Sequence, residues 1–96
     1  MKVRYLPRAF ADIQAIHSYI AKNSPEAALR VTAAVANSIR GLAEFPDMGQ
    51  ATDDADVRVL RSSHHTYNIY YSIAGDEIQI LHVRHPARRP PTADEL

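Results

Sequence analysis

The sequence predicts an α+β domain in which a two-helix hairpin packs on a small, mainly antiparallel, four-stranded sheet, in the order β-α-α-β-β-β. From residue 8 to residue 44, apolar residues recur at the spacing of helices with one buried face. From residue 57 to residue 84 they alternate or run together, with a tight turn at Ala74–Glu77, which indicates strands. A chain of 96 residues predicts one domain over 1–96.

The N-terminal segment predicts a strand and then a helix. Lys2–Leu6 alternates weakly, and Pro7 ends it because proline lacks the N–H donor of a ladder, so we expect an edge strand. The helix runs from Arg8 to about Lys22. Its predicted inner face consists of Phe10, Ile13, Ile16 or His17, and Ile20.

A second helix restarts after a short turn. Ser24 is a favourable N-cap, Pro25 fits the first helical position, and Glu26 places negative charge at the positive end of the helix dipole. The pattern continues to about Glu44. The predicted inner face consists of Leu29, Thr32, Val35 or Ala36, Ile39 and Leu42.

The C-terminal half predicts an antiparallel meander. Pro46 ends the second helix, and the acidic segment 51–56 has no periodicity and is expected to be a loop. Val57–Arg61 is the next strand, and the hairpin 67–84 supplies the last two. The segment 86–96 holds three prolines and no periodic face, so we expect a loose tail.

The hairpin 67–84 carries apolar residues on both faces, which is typical of central strands. Tyr67 and Tyr71 share a face with two isoleucines and are assigned to the core. Tyr70 lies on the opposite face and is assigned a surface role. On the last strand, one side is predicted to carry Ile78 and Ile80 and the other Leu81 and Val83.

The composition excludes several classes of protein. Without cysteine, neither a disulfide framework nor a cysteine-based zinc site is possible. No apolar run approaches the ~20 residues of a membrane span, and the N-terminus lacks a leader peptide, so we expect a cytoplasmic protein without membrane contact. The formal net charge of zero argues against bulk electrostatic binding to nucleic acid but leaves room for a local basic patch.

The order and spacing of several motifs resemble the ParE branch of the RelE/ParE toxin superfamily. The first helix contributes the pattern from Phe10 to Ile20, and the phrase LAEFPDMG follows at 42–49. The strands contribute Arg58, Tyr67, Ile69, Tyr71, Gly75, Asp76, Ile78, Ile80, Val83, His85 and Arg88. The resemblance covers about residues 3–89.

This resemblance implies the toxin half of a bacterial type II toxin–antitoxin module. The expected partner is a cognate antitoxin, with one helix across the toxin's helix hairpin and an extended segment near the sheet. ParE-branch members poison DNA gyrase, whereas RelE-branch members cut messenger RNA in the ribosome, so the fold alone does not choose the target. Contact with DNA is expected only through the antitoxin or gyrase.

The residues with functional chemistry are five arginines and a histidine near the ends of the last strands. We expect a target-binding face formed by Arg58, Arg61, Arg84, His85, Arg88 and Arg89. In a nuclease, Arg58, Arg61 and Arg88 would hold phosphate and His85 would act as the acid or base. His85 also fits a structural, hydrogen-bonded role. Arg58 and Arg61 are three positions apart and should face opposite sides of their strand.

The nuclease pattern is incomplete. Lysine occurs only at positions 2 and 22, outside the middle strands, and no tyrosine follows Tyr71. We therefore favour a toxin that inhibits gyrase by binding and is not an enzyme, with a RelE-type endoribonuclease or an inactive, partner-binding homologue as the alternatives. No cofactor is expected, and His64 and His65 are read as solvated rather than as metal ligands.

Overall fold

A computed structural model of the chain describes residues 1–63 and 67–96. Five strands and two helices follow one another along these residues, and a short 3₁₀ turn ends the described chain. Their bounds are β1 Lys2–Tyr5, α1 Pro7–Ala21, α2 Pro25–Glu44, β2 Gln50–Ala51, β3 Arg58–Arg61, β4 Asn68–Ala74, β5 Glu77–Arg84 and the 3₁₀ turn Ala93–Glu95.

The strands form one sheet in the order β1-β5-β4-β3-β2. β1 pairs in parallel with β5 at one edge, and the other pairs are antiparallel. The β4–β5 turn contains Gly75 at φ 63°, a conformation that favours glycine. This architecture confirms the predicted α+β class and the edge position of β1. Among the described residues the sheet has five strands rather than four, because Gln50 and Ala51 pair with β3, and Ala51 is the first residue of the predicted acidic loop.

The helix hairpin covers one face of the sheet, here called the helix face. Ser24 caps α2 as predicted, since its Oγ accepts a hydrogen bond from the N–H of Ala27 at 3.1 Å. The predicted inner residues Val35, Ile39 and Leu42 are buried against the sheet. Phe10 and Leu29 were wrongly assigned to the inner faces, because they are 56% and 64% exposed.

Small residues take the buried positions next to those two side chains. Ala9 and Ala28, each one position earlier in the chain, are fully buried. Alanine at these two positions, one on each helix, allows closer packing than phenylalanine or leucine would. The two large apolar side chains are consequently left on the surface of the hairpin.

A bulge in the central hairpin changes which residues share a face. Tyr70 lies opposite His82, whereas Tyr71 lies opposite Ile80, so Leu81 is an extra residue on β5. Val83 therefore returns to the helix face and packs in the same cluster as Ile80, which corrects its assignment to the opposite side. Leu81 remains on the other face, here called the outer face.

The chain from residue 86 onward folds back over the outer face instead of remaining loose. Leu96 packs against a small apolar cluster formed by Val57, Tyr70 and Leu81. Tyr70 is consequently only 5% exposed, so its predicted surface role is wrong. The tail is ordered by contacts with strands that are remote in sequence, which a local pattern of residues does not encode.

Tyr67 and Tyr71 are buried on the helix face, as predicted. Within the described ranges, neither helix is long and apolar enough to cross a membrane.

Candidate functional site

Arg58 lies on the helix face of β3 and holds the loop that follows α2. Its Nη1 donates a hydrogen bond to the carbonyl oxygen of Gly49 at 2.7 Å, and its Nη2 lies 3.7 Å from Asp47 Oδ1. Asp47 is highly exposed, so that ion pair adds little, whereas the partly buried bond to Gly49 fixes the loop. The geometry gives Arg58 a structural role.

The hydroxyl of Tyr71 holds the same loop from the strand alongside. It donates to the carbonyl oxygen of Pro46 at 2.7 Å and accepts from the N–H of Gly49 at 2.9 Å. Burial raises the pKa of Tyr71, and the hydrogen bond from Gly49 and the charge of Arg58 act in the opposite direction. The hydroxyl therefore remains protonated and can donate at neutral pH.

A row of polar side chains crosses the outer face at one end of the sheet. Arg61 pairs with Asn68 across β3 and β4, and Asn68 pairs with Arg84 across β4 and β5. Arg61 is exposed, and its Nε lies 3.4 Å from Asn68 Oδ1. Arg58 and Arg61 point to opposite faces, as the two-residue period of a strand predicts.

Arg84 is buried and ion-paired with the tail. Its Nη2 lies 2.8 Å from Glu95 Oε2, and the exposed Arg89 reaches Glu95 Oε1 at 2.7 Å. Hydrogen bonds from the backbone N–H of Thr92, and then from Arg84 and Arg89, hold the pKa of Glu95 well below its usual range. Glu95 is thus a carboxylate shared between two guanidinium groups.

A buried histidine lies beside this cluster. His82 Nε2 is 2.7 Å from the carbonyl oxygen of Glu95, and a carbonyl only accepts, so Nε2 is the donor. His82 Nδ1 lies 3.5 Å from Oδ2 of Asp12 on α1. The same carboxylate oxygen accepts the backbone N–H of Val83 at 3.0 Å. Asp12 and His82 therefore connect α1, β5 and the tail.

His85 and Arg88 lie around the corner from that cluster, on the side of α1. The ring of His85 meets that of Tyr67 edge-on, with centroids 5.7 Å apart, and its Nδ1 accepts the N–H of Ala87 at 3.0 Å. Both His85 and Arg88 are exposed and line a shallow groove of about 490 Å³ with Tyr19. His85 has structural contacts, but its ring remains open to a partner.

The structure therefore divides the six predicted site residues among three places. Arg58 holds the loop after α2 on the helix face, whereas Arg61 and Arg84 lie in the polar row on the outer face. Arg89 joins Arg84 at Glu95, while His85 and Arg88 share the groove beside α1. The residues named for a nuclease do not converge on one point.

Sequence reasoning missed three members of the site: Asp12, His82 and Glu95. Asp12 had a usable signal, because a carboxylate four residues after Arg8 on a helix is a common ion-pair spacing, and that pair forms at 3.0 Å. His82 and Glu95 gave no comparable signal, since their contacts depend on the bulge and on the folded tail.

Metal binding has no geometric support in the residues that the structure describes. Across 1–63 and 67–96, no group of three His, Cys, Asp or Glu side chains is arranged to hold a metal ion. His64 and His65, which the sequence suggested were solvated, lie outside the described residues.

The fold is that of a small α+β protein with two helices packed on one sheet and exposed arginines near one end of that sheet. Comparison with known families matches residues 3–90 to the family described as "ParE toxin of type II toxin-antitoxin system, parDE". The chain belongs to this family of toxins.

Individual relatives are also named as toxins. Y4kP of Sinorhizobium fredii is 33% identical over 90 residues, which are 94% of this chain and 93% of that protein. Toxin RelE2 of Caulobacter vibrioides is 37% identical over 81 residues, 84% of this chain and 90% of that protein. A chain from the structure titled "Chromosomal ParDE TA system from P. aeruginosa" superposes with a TM-score of 0.77 at 25% identity, covering 88% of this chain and 95% of that one.

Proposed function

We propose that this ParE-family toxin inhibits DNA gyrase by binding it, without chemistry of its own, and that a cognate antitoxin neutralises it. The observation that carries the proposal is the separation of the arginines. Arg58 is bound to Gly49 on the helix face, whereas Arg61 lies on the outer face. RNA cleavage requires an acid, a base and a phosphate clamp around one phosphodiester. The set Arg58, Arg61, His85 and Arg88 does not supply that arrangement.

The surface suits binding better than catalysis. Arg61, Arg88 and Arg89 are all exposed at the same end of the sheet as His85. Arginine forms planar, bidentate contacts with carboxylates and phosphates and is common at the energetic centres of interfaces. We assign this end of the domain to the gyrase contact. Arg84 is excluded from direct contact while Glu95 covers it.

An antitoxin would cover the helix hairpin. Large apolar side chains stand exposed there, at Phe10, Tyr19 and Leu29. Exposed apolar surface on a helical layer is typical of a groove for an amphipathic helix. The edge strand β1 offers a place for an extended segment of the same partner. Its side chains Lys2 and Arg4 are exposed and would favour an acidic segment.

The antitoxin proposal is tested with the small protein encoded next to this chain. Co-expression should yield a complex, and Leu29→Glu should weaken it at least about tenfold because a charge would be buried in the interface. Ile73→Glu is the matched control, since Ile73 is also exposed but lies on β4 next to the β4–β5 turn and not on either helix. Equal affinity of both variants for the antitoxin would contradict docking on the hairpin.

A RelE-type, ribosome-dependent endoribonuclease is the second candidate. One observation favours it: His85 and Arg88 share a groove with Tyr19. The 37% identity to toxin RelE2 hints at the same alternative without favouring it. Primer extension on translated messenger RNA would reveal codon-phased cuts from such an activity. Growth arrest without cuts would leave gyrase as the better target. An inactive homologue would instead give no growth arrest when expressed without antitoxin.

A further inference from the structure

Glu95 places three of its oxygen atoms against the side chains of His82, Arg84 and Arg89. Its Oε2 meets Arg84 Nη2 at 2.8 Å, and its Oε1 meets Arg89 Nη1 at 2.7 Å. Its backbone oxygen meets His82 Nε2 at 2.7 Å. Glu95 therefore fills a small site, here called the receptor, which is formed by the side chains of His82 and Arg84 on β5 and of Arg89 after it.

Arg84 is the buried member of the receptor, and the receptor carries more positive than negative charge. The Arg84 side chain is 1% exposed, and its Nε is buried without a hydrogen-bond partner among the described residues. A buried guanidinium requires a counter-anion, and removing that anion is costly. Two guanidinium groups here face one carboxylate, and Arg61 lies two strands away in the same row. The receptor thus has more positive charge than Glu95 neutralises.

Glu95 is held in this site by a short and mostly exposed segment. Thr92 and Glu95 form a reciprocal capping box around the 3₁₀ turn, and Leu96 adds one apolar contact with the outer face. Residues 92–94, which hold Glu95 in place, are exposed. Segments with few buried contacts open locally at a small fraction of the cost of global unfolding. The tail can therefore leave the receptor while the sheet stays folded.

We propose that Arg84 and Arg89 form a phosphate-binding site, beside His82, that the carboxylate of the chain's own Glu95 occupies. A phosphate group offers a pair of terminal oxygens to these two guanidinium groups, as the Glu95 carboxylate does, and it carries more charge than a carboxylate, so it suits the excess of positive charge. Glu95 is then an internal competitor that keeps the site closed. The site requires neither gyrase nor an antitoxin, so it extends beyond the function proposed above.

The direct test is calorimetric titration of inorganic phosphate into purified variants. Glu95→Gln, which removes the competing charge, should bind phosphate at least about tenfold more tightly than the wild type. Asp94→Asn is the matched control, because it removes the same charge from an exposed neighbouring position. Adding Arg89→Gln to Glu95→Gln should abolish the gain. Equal phosphate affinity of Glu95→Gln and the wild type would overturn the proposal.

A second measurement uses the unmodified protein and does not depend on a variant folding. Phosphate should speed hydrogen exchange at the N–H groups of Glu95 and Leu96, which bond within the tail, whereas chloride at equal ionic strength should not. Equal effects of the two salts would also overturn the proposal.

Binding of different probes to Glu95→Gln distinguishes a phosphate of a nucleic acid from a free phosphate ion. Tighter binding of a short single-stranded RNA or DNA than of inorganic phosphate supports the site and assigns it to a nucleic acid. Binding of inorganic phosphate alone supports the site and assigns it to a free anion. Failure of every probe, with the variant folded, contradicts it.

Discussion

The carboxylate of Asp12 accepts a hydrogen bond from the backbone N–H of Val83 at 3.0 Å, which joins α1 to the end of β5. β1 pairs with β5 only as far as Ile80, and the N–H of Leu6 then bonds to the carbonyl of Ile80. Beyond that point no strand of the described residues lies along this edge of β5. Asp12 takes the place of the missing strand at Val83, and an unpaired buried N–H is avoided.

Replacing Asp12 should destabilise the domain. Asp12→Ala leaves the Val83 N–H unpaired and removes the carboxylate beside His82, so we expect a loss of about 1–3 kcal/mol in the free energy of unfolding. Urea denaturation measures it. Arg8→Ala is the control, since it breaks only the exposed ion pair with Asp12 and should cost less than about 1 kcal/mol. Equal losses in both variants would assign the effect to the ion pair.

Two glycines should respond in opposite ways to a methyl group. A Cβ at Gly49 would lie 2.6 Å from the Tyr71 hydroxyl and 2.9 Å from the carbonyl oxygen of Val59, so Gly49→Ala should cost about 1–3 kcal/mol. A Cβ at Gly41, inside α2, would meet only Met48 Cε at 3.5 Å. Gly41→Ala should stabilise the protein by roughly 0.5–1 kcal/mol. The thermal unfolding midpoints of the two variants measure these effects. An unchanged midpoint for Gly49→Ala would show that the loop held by Tyr71 can adjust to the added methyl group.

The tail should give stability a specific dependence on pH. The pKa of Glu95 lies below its ordinary value of 4.5, first through the N–H of Thr92 and then through Arg84 and Arg89. A lowered pKa in the folded state means that the carboxylate's stabilising contribution is present above pH 4.5 and is lost as the pH falls further.

The difference in unfolding free energy between the wild type and Glu95→Gln should therefore be constant from neutral pH to about pH 5 and shrink below that. Urea denaturation at a series of pH values measures this difference. A difference that stays constant through the acid range would show that Glu95 is not bound by the two arginines in solution.

Local patterns predict most of the secondary structure and much of the fold. α2 ends at Glu44 as expected and begins behind its Ser24 cap, because capping and apolar periodicity act within a few residues. The β4–β5 hairpin follows from alternation and from Gly75. Periodicity alone does not decide between Ala9 and Phe10, because they precede Ile13 by four and three residues and both spacings fit one helix face. Tertiary packing buries the smaller side chain.

The candidate site was less predictable because its contacts are remote in sequence. The opposite orientations of Arg58 and Arg61 follow from the two-residue period of a strand. The pairing of Arg84 with Glu95 requires the tail to turn back, and the position of His82 requires the bulge at Leu81. The sequence pattern around Leu81 does not predict the bulge, and the pattern of residues 86–96 does not predict that the tail turns back.

Alanine substitutions at two arginines of the predicted target-binding face should have different effects, one on stability and the other on gyrase inhibition. Arg58→Ala removes the bond to Gly49 and should cost about 1–2 kcal/mol of stability. Arg88→Ala changes an exposed side chain, so stability should stay within about 0.5 kcal/mol while gyrase inhibition weakens. Chemical denaturation and a supercoiling assay on the same samples report both effects. An Arg88→Ala protein with full inhibition would remove Arg88 from the gyrase contact.

The most direct test of the account is DNA supercoiling by purified gyrase in the presence of purified, antitoxin-free toxin. We expect loss of supercoiling, accumulation of cleaved DNA complexes, and recovery on adding the antitoxin. The toxin alone should leave RNA intact. Unchanged supercoiling and unchanged levels of cleaved complexes, with a toxin that still arrests growth, would contradict the proposed action on gyrase.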